Sequence, residues 1–121
     1  MIQCKEIAFV AYPVTDMDRA RKFYEGVLGL KPNEPLKTES PHWIEYDIGS
    51  GTIGIGSSAE WLPSQDGASA ALEVEDFEGA VATVRANKIP IIIGPMEFPS
   101  CQMVTVRDPD GNKVTLHRRK R

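Results

Sequence analysis

The chain has 121 residues, 41% hydrophobic and 26% charged, with a net charge of -3 and a pI near 5.4. That length fits one domain, or two small halves sharing a core, and the balanced composition excludes a disordered chain. Mild acidity speaks against nucleic acid as a partner, and no apolar run approaches the roughly 18 to 20 residues of a membrane span.

In chain order, residues 6 to 14 alternate as a strand, with Ala8, Val10, Tyr12 and Val14 on one face. Thr15 or Asp16 caps a helix whose apolar face carries Met17, Ala20, Tyr24, Val27 and Leu28, with Phe23 beside it. Gly29 supplies its left-handed stop. A short strand is expected near residues 36 to 39, and a longer one over 43 to 48. Gly49-Ser50-Gly51 then turns the chain into a strand over 52 to 56. Residues 58 to 67, rich in Ser and Gly, read as a linker.

The second half runs the same way. Residues 69 to 74 form a strand, and Asp76 caps a helix with Phe77, Ala80, Val81 and Val84 inward, ending near Asn87. Ile91 to Ile93 is a short strand between prolines, and 102 to 107 is another. Asp108-Pro109-Asp110-Gly111 is a tight turn, with Pro presetting φ and Gly accepting positive φ. Residues 113 to 117 close the unit. The halves are related by an offset of 60: Val14-Thr15-Asp16 with Val74-Glu75-Asp76, Ala20 with Ala80, Ile44 with Val104. Each half therefore reads β-α-β-β-β, an α+β unit in duplicate: module 1 to 57 and module 68 to 121 in one domain.

Strand alternation separates two faces in each sheet. The apolar face must cover the helix. The other face carries Phe9, Trp43, Glu45, Asp47 and Gly54 in the first half. In the second it carries Ser69, Glu73, Met103, Thr105, Arg107, Thr115 and His117. Aromatics, a Met and scattered polar groups together are the composition of a small-molecule surface rather than of ordinary solvent-facing sheet. Phe9, Trp43, Glu45, Ser69, Met103, Thr105, Arg107, Thr115 and His117 are therefore the expected ligand-binding residues. Glu45 and His117 would make an acid–base pair if they met. His42, next to Pro41, reads as a loop residue. Cys4 and Cys101 match no metal or redox spacing and read as reduced thiols in the cytoplasm. The Lys5-Glu6 pair stands where an export signal would be apolar. The basic run from residue 118 to the end reads as a solvated tail.

The chain resembles the vicinal oxygen chelate superfamily, which includes glyoxalase I, bleomycin-resistance proteins and extradiol dioxygenases. The resemblance rests on Val14-Thr15-Asp16-Met17-Asp18-Arg19-Ala20 followed by Phe23-Tyr24 and Leu28-Gly29-Leu30. It rests also on Val74-Glu75-Asp76 and on Asp108-Pro109-Asp110-Gly111-Asn112. It implies paired βαβββ modules whose mixed sheets form a cup, in a homodimer. It also implies a divalent metal held by a His of each first strand and an acid of each last strand. Those positions fall on Phe9 and Ser69, and on Gly54 (Ile55 at a strict offset) and Thr115. None of these side chains is a competent ligand. The expectation is a small-molecule binder without a metal cofactor, its ligand planar or aromatic. The alternative is a metal-dependent lyase, isomerase or dioxygenase with displaced ligands.

Overall fold

The structure is a computed structural model that describes residues 1–33 and 42–120. It divides into two compact units, Met1–Leu62 and Pro63–Arg121, at a boundary inside the expected linker. The strand expected near residues 36 to 39 lies outside the described residues.

In the first unit, β1 (Val10–Pro13) lies parallel to β3 (Gly51–Gly56), which pairs antiparallel with β2 (Trp43–Ile48). β1 is shorter than the alternation predicts, because only residues 10 to 13 find ladder partners on β3. Asp16 caps helix α1 (Met17–Arg21), its Oδ1 accepting from Arg19 N at 3.0 Å. Beyond Arg21 the helix departs from the regular α geometry that the apolar spacing predicts. Residues 22–27 widen into a π-helical turn, with Leu28 N donating to Phe23 O. The wider turn lets the consecutive rings of Phe23 and Tyr24 both point inward, edge to face at 5.0 Å. Gly29 then takes φ +72° and ends the helix, as expected.

The core of this unit is an aromatic column. Tyr24 lies 6.1 Å from Tyr12 and stacks on Tyr46 at 6.3 Å, and all three are buried. The Tyr46 hydroxyl donates to Glu25 Oε2 at 2.8 Å, and Arg21 Nε donates to the same oxygen at 2.7 Å. Burial pushes the Glu25 carboxyl up, but the hydrogen bonds from Arg21 and Tyr46 outweigh it and hold the group below its ordinary range. A depressed folded-state pKa gives stability that is present above the unfolded value of about 4.3 and is lost as pH falls through the folded value. Replacing Glu25 with Gln is expected to cost about 1 kcal/mol at pH 7 and to flatten the acid limb of stability below about pH 4.5. Urea unfolding across pH 3 to 7 checks both.

The second unit is a complete βαβββ module. Its sheet has the order β4-β7-β6-β5, from β4 (Ala70–Glu73), β5 (Ile91–Glu97), β6 (Cys101–Arg107) and β7 (Lys113–Arg119). β4 and β7 are parallel, and the other pairs are antiparallel. Asp76 caps helix α2 (Phe77–Ala86) through Gly79 N at 2.9 Å. Phe77, Val81 and Val84 are buried, as are Val104, Val106, Val114 and Leu116 on the sheet. β5 runs on to Glu97, past its expected end at Ile93. It is an edge strand, so Pro95 costs no ladder bond to a further neighbour, and its register with β6 shifts on both sides of Ile93.

Candidate functional site

The ladder registers fix which residues of the two units correspond. Ala11 pairs with Gly54, and Ala71 with Thr115; Glu45 pairs with Gly54, and Thr105 with Thr115. Gly54 is therefore the counterpart of Thr115, not Ile55. The last strands are offset by 61 because five residues separate Arg107 from its partner Lys113, where four separate the equivalent Asp47 from Thr52.

The first unit presents an aromatic face. Trp43 and Gly56 are cross-strand partners, and the indole lies over both Gly54 and Gly56. A Cβ on Gly54 would fall 2.5 Å from Trp43 Cζ2, and one on Gly56 2.8 Å from Trp43 Cε3. Two residues without side chains thus leave the trough in which the ring rests. Trp43 Nε1 donates to Glu45 Oε2 at 2.8 Å, which fixes the ring's rotation. Phe9 meets Trp43 edge to face at 5.5 Å and remains 49% exposed. Trp61, 37% exposed, approaches the Gly56 position from the stretch read as linker. A tryptophan in an otherwise Ser- and Gly-rich stretch was the signal for it.

The second unit presents hydroxyls at the corresponding positions. Ser69 Oγ lies 2.8 Å from Thr115 Oγ1, which lies 2.8 Å from Thr105 Oγ1. Thr105 and Thr115 are buried, and Ser69 is exposed at the chain's outer end. Further along the same face, His117 pairs with Glu73, Nδ1 to Oε1 at 2.6 Å, and Glu73 Oε2 accepts from Arg119 N at 2.6 Å. The Arg119 amide, with the His117 ring behind it, holds the Glu73 carboxyl below its ordinary range. A carboxylate only accepts, so His117 Nδ1 carries the proton of this hydrogen bond. Glu45 is bound to Trp43, and His117 finds its carboxylate directly opposite on β4. Arg107 is not free for a ligand through Nη1, which donates to Gln65 O and Gly111 O. Met103, half-buried, is the cross-strand partner of His117.

The four positions at which the resemblance implies metal ligands do not fit a divalent ion. Phe9 and Gly54 offer no side-chain donor, and the Ser69 and Thr115 hydroxyls are engaged with each other. Among the described residues, no group of three or more His, Cys, Asp or Glu side chains is gathered for one. No helix among them is long and apolar enough to cross a membrane.

Solved structures share this fold across nearly the whole chain. A glyoxalase/dioxygenase from Nostoc punctiforme superposes with a TM-score of 0.82 at 21% identity, over 97% of this chain and 92% of its own. A virulence protein from Salmonella typhimurium gives 0.75 at 20%, over 98% and 100%. TnmS3, an antibiotic binding protein from Streptomyces sp. CB03234, gives 0.76 at 17%, over 99% and 100%. No curated protein matches the sequence significantly. The sequence signature of the Glyoxalase/Bleomycin resistance protein/Dioxygenase superfamily spans residues 6–116. With its motifs, its repeated module and its fold in agreement, the chain belongs to that superfamily.

Proposed function

We propose that this protein binds a small planar or aromatic molecule and does so without a divalent metal. The observation that carries the reading is the Trp43 indole, seated on Gly54 and Gly56 and flanked by the half-exposed Phe9. A ring held rigid by its own hydrogen bond offers stacking area at little entropic cost. Glu45 holds that ring. The second unit by itself presents a face of Ser69, Thr105, Thr115, Met103 and His117, polar and soft in character. That TnmS3, of the same fold, is an antibiotic binding protein supports the same direction. In a Trp61→Phe background, which isolates Trp43, fluorescence quenching and thermal shift against planar compounds should reveal saturable binding. Trp43→Ala should weaken it at least thirtyfold, on the order of 2 kcal/mol or more. No response across the library would overturn the reading.

The competing reading, a metal-dependent lyase, isomerase or dioxygenase with displaced ligands, draws support from His117 and Glu73. They are the one pair of metal-type donors held together on this face among the described residues. Stoichiometric metal after loading and dialysis, measured by elemental analysis, would replace the binder with an enzyme. We further propose a cytoplasmic homodimer. Exposed Ile93 and Met96 on edge strand β5, with Phe98 beyond it, and two free cysteines support it. Sedimentation equilibrium reads the dimer directly.

A further inference from the structure

We infer that the sheet of the second unit carries a binding site for a soft monovalent cation, Cu(I), built from the thioethers of Met96 and Met103 and Nε2 of His117. The site lies wholly on that one sheet and goes beyond the small-molecule reading. The strand registers set four residues in a row across all four strands: Met96 on β5, Met103 on β6, His117 on β7 and Glu73 on β4. Directly opposed residues share a face, with Cβ atoms about 4.5–5.5 Å apart. Met103 therefore has a second thioether on one side and an imidazole on the other. Met96 is 40% exposed on edge strand β5, so the core does not hold it. Methionine is unbranched with three rotatable bonds, which lets both sulfurs turn to one ion. His117 is already held as a ligating histidine is held. Its Nδ1 bonds Glu73 Oε1 at 2.6 Å, and Glu73 Oε2 is anchored by Arg119 N at 2.6 Å. Metal-binding imidazoles give their other ring nitrogen to just such a carboxylate, which fixes the ring. With Nδ1 turned to β4, Nε2 lies across the ring, on the side of β6 and Met103.

The donor set selects the ion. Soft thioether sulfur takes Cu(I), and imidazole suits copper too, whereas Mg(II), Ca(II) and Mn(II) need oxygen ligands. Zn(II) is held by thiolate, imidazole and carboxylate. No thiolate stands in the row, and both Glu73 oxygens already accept hydrogen bonds. Two thioethers and an imidazole are neutral, so a monovalent ion leaves a single charge, which the Glu73 carboxylate behind His117 balances.

The test is an anaerobic titration of the full chain with Cu(I), supplied as its acetonitrile complex. Cys4→Ser and Cys101→Ser form the background, so that neither free thiol takes the ion. Cu(I) is diamagnetic, and the methyl signals of the four methionines each report on their own sulfur. A single equivalent should shift Met96 and Met103 together with the His117 ring and leave Met1 and Met17 in place. X-ray absorption should show sulfur and imidazole nitrogen around the ion. Met103→Leu, which conserves volume, should keep the melting temperature and weaken Cu(I) binding at least about tenfold. Glu73→Gln, which leaves all three ligands, should weaken it about tenfold. Zn(II) and Mn(II), the loading that tests the metal-enzyme alternative, should leave the methionine signals unmoved. If excess Cu(I) shifts none of these signals, or shifts Met1 and Met17 as much, the site falls. Cu(I) affinity unchanged in the Met96→Leu, Met103→Leu double variant also overturns it. Zn(II) moving the Met96 and Met103 signals overturns the choice of ion. Binding of planar compounds, read by Trp43, stands or falls separately from all of these.

Discussion

Gly54→Ala is expected to abolish ligand binding and to cost about 1–3 kcal/mol, a drop in melting temperature of roughly 3–6 °C for each kcal/mol lost. An added methyl ordinarily helps a strand, because glycine loses the most backbone entropy on folding. Here the methyl has nowhere to go. Its carbon would lie 2.5 Å from Trp43 Cζ2 and 2.6 Å from Cη2, inside the ring's van der Waals surface. The indole must lift off β3, and with it go the hydrogen bond to Glu45 and the edge-to-face contact with Phe9. Gly51→Ala is the matched control on the same strand. Its nearest obstacle is Ile48 O at 3.6 Å, an ordinary contact, so stability should hold or rise slightly. Differential scanning calorimetry and the Trp43 emission maximum, measured on both variants, separate a displaced ring from a weakened strand.

Asp108→Ala is expected to be the more damaging change for stability, at about 2–4 kcal/mol. Asp108 is 4% exposed and is the hub of the β6–β7 turn. Its Oδ1 accepts from Asp110 N and Asn112 N, each at 2.9 Å, and its Oδ2 accepts from Asn112 Nδ2 at 2.9 Å. Its backbone adds Asp108 N to Asn112 O at 2.8 Å and Gly111 N to Asp108 O at 3.0 Å. Truncation leaves three donors without the carboxylate that gathers them, two of them on the buried Asn112. The turn also sets the register that places Thr105 opposite Thr115, so the hydroxyl chain should loosen with it. Chemical denaturation should show a lower midpoint with an unchanged slope. The Thr105 and Thr115 methyl signals should broaden before global unfolding. Asp108→Asn, which keeps an acceptor at one oxygen, should retain more than half of the lost stability.

The features legible in the sequence were those carried by a few neighbouring residues. Asp16 and Asp76 cap their helices because a short side-chain oxygen reaches an amide three positions on. Gly29 ends the first helix, and Asp108 to Gly111 turn the chain, for equally local reasons. Alternation of Ile44 and Tyr46, or of Val104 and Val106, declares the buried side of a strand before any partner is known. Repetition of these signals after sixty residues was enough for the duplicated module and for the family.

Other features depended on what each strand met. Glu45 bonds Trp43, two positions back on its own strand, whereas His117 bonds Glu73, the partner that its register on β4 supplies. The one-residue difference between the two turns decided that Gly54, and not Ile55, answers to Thr115. The π-helical turn and the passage of β5 through Pro95 arose from packing and from an open sheet edge, against local preference. The sequence by itself determined that this is a twice-repeated βαβββ chain whose four expected metal positions carry Phe, Gly, Ser and Thr, because side-chain chemistry is written residue by residue. Only the tertiary structure decided that two glycines seat an indole and that three hydroxyls join into one chain. Both arrangements are made between strands, and register is a property of the pairing rather than of either segment.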